Sequence, residues 1–124
     1  MTKRTLLTSL ACAWKGVWYA LKTQRNMRLH LVLGVAAVVA AGWLAVNPTE
    51  WLLLSCTVTL VLVAELLNTA VEVLVDVLSK GRSTEARIIK DLAAGAVLFC
   101  SINAVVVGCV VFCPRLVDWI RSVL

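Results

Sequence analysis

Apolar residues fall into three long stretches with polar breaks between them, and a fourth, N-terminal stretch mixes the two kinds. Over residues 2–24, Leu6, Leu7, Leu10, Trp14, Val17, Trp18 and Leu21 recur at the i, i+3, i+4, i+7 spacing of one helix face. Lys3, Arg4, Lys15 and Lys22 lie off that stripe or at its border. Too many polar residues interrupt the segment for it to span a bilayer, so it predicts an amphipathic helix lying in the interface. Gln24 to His30 form a polar cluster and read as a short turn. A first membrane helix is predicted over 30–46. It is uncharged from Leu31 to Val46, slightly short, and carries Gly34 and Gly42 for close helix contact. Asn47-Pro48-Thr49-Glu50 reads as a tight turn. A second membrane helix follows over 51–78, uncharged from Trp51 to Ala64. Ser79 to Glu85 is a polar loop in which Ser83 or Thr84 can cap the next helix. The third membrane helix is predicted over 86–113. It is uncharged from Leu92 to Cys113, and Pro114 is expected to stop it before a short tail with Trp119 and Arg121.

Composition agrees with that pattern. The chain has 124 residues, room for one domain over 1–124, and 61% of them are hydrophobic. Mean hydropathy is +0.94. A soluble domain of this size could not bury so much apolar surface, so the class is all-α integral membrane protein. The net charge of +5 would suit a nucleic-acid partner, but its placement excludes one. Lys3, Arg4, Lys15, Lys22, Arg25 and Arg28 precede the first span. Lys80, Arg82, Arg87 and Lys90 follow the second, and none lies between. This alternation predicts a multi-pass membrane protein with its N-terminus in the cytoplasm, its basic residues facing anionic lipids. No cleavable signal peptide is expected. Cys12, Cys56, Cys100, Cys109 and Cys113 include no Cys-x-x-Cys pair and read as small apolar packing residues.

The candidate chemistry sits at the end of the second span. At about 100° per residue, Glu65, Asn68, Glu72 and Asp76 fall within a stripe roughly 80° wide, while Leu66, Leu67, Val71, Val73, Leu74 and Val75 cover the rest of the surface. A charge at mid-bilayer costs roughly 3 kcal/mol on insertion scales, so a ruled line of acids implies a task. Glu65 lies about 20 Å along the helix from Trp51, below the cytoplasmic headgroups, and Asp76 reaches water. Gln24, Arg28, Lys90 and Asp91 are expected at that level. A carboxylate there can take a proton from a hydroxyl, and others can hold Mg²⁺ with phosphate oxygens and water. Lysine and arginine neutralise phosphates. These parts suit phosphoryl transfer from a soluble nucleotide to a membrane alcohol. A proton or ion pathway through a trimer uses similar parts but predicts polarity along the whole membrane depth, and here polarity is confined to one end. A third reading makes the acids oligomerisation glue. No Gly-x-x-x-x-Gly-Lys-Ser/Thr loop is present, and Lys80-Gly81-Arg82-Ser83 is too short for one. His30 stands alone, read as a satisfied interfacial residue or, in the minority reading, as a contact to substrate or phosphate.

Glu65-Leu66-Leu67-Asn68-Thr69-Ala70-Val71-Glu72 through Asp76 resembles the signature of the prokaryotic diacylglycerol kinase family. Lys90-Asp91-Leu92-Ala93-Ala94-Gly95-Ala96-Val97-Leu98 resembles its second block, and Trp14-Lys15-Gly16 and the three-span layout extend the likeness over nearly the whole chain. Arg25-Asn26-Met27-Arg28-Leu29-His30 and Ala93-Ala94-Gly95-Ala96 resemble the undecaprenol kinase branch. The resemblance implies a homotrimer with sites shared between subunits, ATP and Mg²⁺ as cofactors, and a lipid alcohol as acceptor. It implies Glu65 as general base, with Asn68, Lys90 and Asp91 completing the catalytic group. Glu72 and Gln24 would meet the metal. Cys12, Gln24, Glu72, Asp76, Gly81, Arg82, Ser83, Lys90 and Asp91 would lie by the nucleotide, and Trp14, Arg28, Glu65 and Ala94 by the lipid. Two departures stand out. The family usually carries a glutamate at the position of Gln24, so the metal contact here is an uncharged amide, and a catalytically weakened member is an alternative. Cys12 and Ala13 replace polar residues of the family's first helix.

Overall fold

The structure, a computed structural model, describes residues 5–80 and 82–124. The sequence expectations for Lys3, Arg4 and Gly81 lie outside the described residues. Four helices make up the described chain: α1 (Leu6–Thr23), α2 (Arg25–Trp43), α3 (Pro48–Ser79) and α4 (Thr84–Val123). Three of them, α2, α3 and α4, are long and apolar enough to cross a membrane.

The predicted turn over 24–30 is not there. Gln24 alone is extended, at φ −110° and ψ 116°, and α2 begins at Arg25. Polar residues beside a membrane can stay helical because the helix satisfies its own backbone groups. The break still leaves the last carbonyls of α1 without helical partners. The Gln24 N–H bonds the Ala20 carbonyl at 2.8 Å. Arg28 Nη1 donates to the Leu21 and Lys22 carbonyls at 2.8 and 3.1 Å.

Asn47-Pro48-Thr49-Glu50 is likewise the first turn of α3 rather than a loop. Asn47 Oδ1 accepts the Glu50 N–H at 2.9 Å, and Glu50 Oε2 accepts the Asn47 N–H at 3.0 Å. With Pro48 in the first turn, this is a capping box. The chain reverses just before it, over Leu44 to Val46, where Ala45 takes a left-handed φ of 49°.

Pro114 does not end the helix, because α4 continues to Val123. An interior proline costs about 3 kcal/mol. Contacts made by the extension offset this. Arg115 pairs with Glu50 and donates to the Ala45 carbonyl at 3.2 Å. Trp119 packs on Trp43 with ring centroids 5.2 Å apart. Ser83, as expected, caps α4, its Oγ accepting the Ala86 N–H at 3.0 Å.

The helices pack as an antiparallel set. α2 and α3 approach closely at Gly34, where a Cβ would stand 2.8 Å from Val58 Cγ1. A cluster of Ala41, Val46, Leu54 and Val111 closes the end near the Asn47 cap. Burial elsewhere is sparse: only 11% of the apolar window of α4 is covered within the chain. Apolar side chains left open over whole helices need lipid or other protein around them.

Candidate functional site

The site is built by the register of α2 against α3. Three rungs fix it: Gln24 opposite Glu72, His30 opposite Glu65, and Gly34 opposite Val58. Rising numbers on one helix meet falling numbers on the other. The acids of α3 therefore look onto the start of α2, next to the α1–α2 break.

Burial falls steadily along the acidic stripe. Glu65 is 1% exposed, the largest fully buried side chain described. Asn68 and Glu72 are half-buried, and Asp76 is exposed. Glu65 Oε1 lies 3.1 Å from His30 Nε2, yet out of line for a hydrogen bond, so this buried oxygen has no hydrogen-bonded partner among the described residues. The neighbouring Thr69 hydroxyl is spent on the Glu65 carbonyl at 2.8 Å.

Two helical turns on, both Glu72 oxygens are held by amides. Gln24 Nε2 donates to Oε2 at 3.3 Å and Asn68 Nδ2 to Oε1 at 3.2 Å. Both donors are neutral, so the carboxylate is oriented without its charge being cancelled. One turn further, Asp76 Oδ1 accepts from Lys90 Nζ at 2.5 Å, which ties α3 to α4.

Gln24, Asn68 and Glu72 thus come together, as do Asp76 and Lys90. Other residues singled out from the sequence stand apart within one chain. Cys12 and Trp14 are exposed on α1, and Asp91 and Ala94 are exposed on α4. Arg82 is exposed, and the Ser83 hydroxyl is occupied with its cap. The Arg28 guanidinium is engaged by the carbonyls of α1. His30, read mainly as a satisfied interfacial residue, instead faces the buried acid. The signal for it was spacing. Gln24 and His30 are six apart and Glu65 and Glu72 seven apart, so antiparallel helices can pair both at once.

Among the described residues no group of three or more His, Cys, Asp or Glu could hold a metal by itself. The donor set instead fits a cation shared with phosphate and water, a state Mg²⁺ favours with only one or two carboxylates. Glu72 is the acid with charge to spare.

Comparison with known proteins identifies the family. The family model described as prokaryotic diacylglycerol kinase matches residues 11–112. A diacylglycerol kinase from Synechocystis sp. is 47% identical over 115 residues, 91% of this chain, and the chain spans 65% of that protein's length. An undecaprenol kinase from Bacillus subtilis is 30% identical over 87% of this chain and 88% of its own. A diacylglycerol kinase from Escherichia coli is 32% identical over 85% and 86%. The match takes in the rungs at Gln24–Glu72 and His30–Glu65 and the Asp76–Lys90 tie alike, and on that breadth the chain belongs to the prokaryotic diacylglycerol kinase family.

Proposed function

We propose that this protein is an ATP-dependent kinase of a membrane lipid alcohol, acting at the cytoplasmic face of the bacterial inner membrane. The observation that carries the reading is the graded stripe. A buried carboxylate with an oxygen that has no hydrogen-bond partner among the described residues, Glu65, lies two turns from a half-buried one held only by neutral amides, Glu72. Chemistry between a lipid hydroxyl and a water-borne nucleotide needs that gradient.

Glu65 accepts the hydroxyl proton as the acceptor oxygen attacks the γ-phosphorus. Glu72, held by Asn68 and Gln24, is the residue for Mg²⁺, which when bound offsets charge on the nucleotide phosphates. Lys90, steered by Asp76, sits where α3 and α4 leave the membrane and can meet phosphate oxygens. Asp91, Arg82, Ser83 and Gly81 are assigned to the nucleotide side, together with Cys12. Trp14, Arg28 and Ala94 are assigned to the lipid side, with α1 lying in the interface as an amphipathic helix. The N-terminus is cytoplasmic and the working unit is a homotrimer. The apolar surface left open on every spanning helix supports that assembly.

A cavity of about 250 Å³ supports a long-chain acceptor. It starts at His30 and runs between α2, α3 and α4 past Gly34, Val58 and Ser101 to Phe112. The 24–30 segment and Ala93 to Ala96 resemble the undecaprenol kinase branch, while identity is higher to the Synechocystis diacylglycerol kinase, 47% against 30%. Both alcohols are therefore offered in the deciding experiment. Purified protein in mixed micelles receives labelled ATP with undecaprenol and diacylglycerol in competition. Label is expected in one lipid, and in neither with Glu65→Gln, a loss of about 10²- to 10⁴-fold. Folded protein that labels neither lipid sinks the reading.

A further inference from the structure

We infer that His30 is the positioning residue for the carboxylate of Glu65. The inference rests on the reading of Glu65 as the base and adds a residue to it. Glu65 is almost wholly enclosed, and His30 Nε2 stands 3.1 Å from its Oε1. The other polar side chains nearby are already committed. Thr69 donates to a backbone carbonyl, and Asn68 and Gln24 both donate to Glu72. Among the described residues His30 is the one side chain with a nitrogen donor facing this acid.

A carboxylate in an apolar wall is costly when left without a donor, and it is also free to rotate. One N–H from a ring fixed at the start of α2 addresses both. It lends a charge-assisted hydrogen bond, and it leaves the remaining lone pairs of Glu65 aimed at the incoming hydroxyl. The ring stands out of line with Glu65 Oε1. Bonds of this kind commonly align only when substrate completes the site. His30 also borders the cavity that runs down between the helices, so an alcohol seated there brings its hydroxyl to the His30 end, beside the His30–Glu65 pair.

The step balances without a proton passing through His30. The hydroxyl O–H breaks and its proton goes to Glu65. The new O–P bond forms, and the bond from the γ-phosphorus to ADP breaks with its electron pair leaving on ADP. His30 keeps its Nε2 proton and donates to the carboxylate before and after.

Gln and Asn at position 30 provide the test. Both are polar and uncharged, but only Gln carries its amide nitrogen out to the place of Nε2. His30→Gln is expected to keep kcat within about threefold of the parent, and His30→Asn to lose about 10- to 100-fold, the effect of one hydrogen bond to a charged group. The KM for ATP should stay within about twofold in both, because the nucleotide side is two turns away. Equal kcat for the Gln and Asn variants overturns the inference, as does a KM for ATP that rises in step with the loss. Glu65→Gln is measured alongside. If it keeps its activity, the base reading falls and this inference falls with it. If it is inactive while His30→Gln and His30→Asn match, only the role of His30 falls.

Discussion

A single amide, Gln24, stands beside the carboxylate proposed to hold metal. Gln24 reaches Glu72 through its N–H₂, as a donor. A glutamate there would bring a second negative charge to the same spot and could not donate when ionised. Gln24→Glu should therefore raise Mg²⁺ affinity, read as a lower half-saturating Mg²⁺ in the kinase assay, by about tenfold for one added carboxylate. An unchanged Mg²⁺ curve would show that Gln24 is not at the metal. The stripe itself was legible in the sequence, since helical periodicity alone aligns Glu65, Asn68, Glu72 and Asp76. His30 was not. The matching spacings of Gln24 to His30 and of Glu65 to Glu72 single out the histidine only once the antiparallel register of α2 on α3 is known. Arg28 shows the same limit. The sequence places this cation beside the acids, and only the folded chain shows that it satisfies the carbonyls where α1 ends.

The helices were legible by type and misjudged at their ends. Local breaker rules placed stops at 24–30, 47–50 and Pro114, and in each case the chain is helical through most of the expected break. Asn-Pro and Pro114 were read as punctuation, whereas Asn47 is a cap and Pro114 is tolerated because the extension beyond it is tied down. Arg115 makes that tie, so Arg115→Met should lower stability by removing the cation beside Glu50 and the donor to the carbonyls of Leu44 and Ala45. Graded denaturant unfolding in micelles measures it. The kcat of the folded variant should hold, since Glu50 lies about 22 Å along α3 from Glu65. Gly34 is the opposite case, a contact at the working end. Gly34→Val drives atoms into Val58 and should cost about 1–3 kcal/mol while disturbing the His30–Glu65 rung, so stability and kcat fall together. Ala45→Gly relieves a left-handed alanine and should stabilise by about 1 kcal/mol with no change in rate.

At the level of the whole molecule, polarity is concentrated at one end of a bundle whose flanks are apolar. The break between α1 and α2 gives that end a particular rigidity. One extended residue, Gln24, is the elbow that sets the angle of α1, and the same residue grips Glu72. Its length is therefore a gauge. An extra residue in the elbow lengthens the path by about 3.5 Å, more than a hydrogen bond can span, and turns α1 out of phase with α3. One glycine inserted after Gln24 is expected to abolish lipid phosphorylation while the three spanning helices stay folded by circular dichroism. Natural variation in chain length should then collect in the polar loop after Ser79 and spare the one-residue joint.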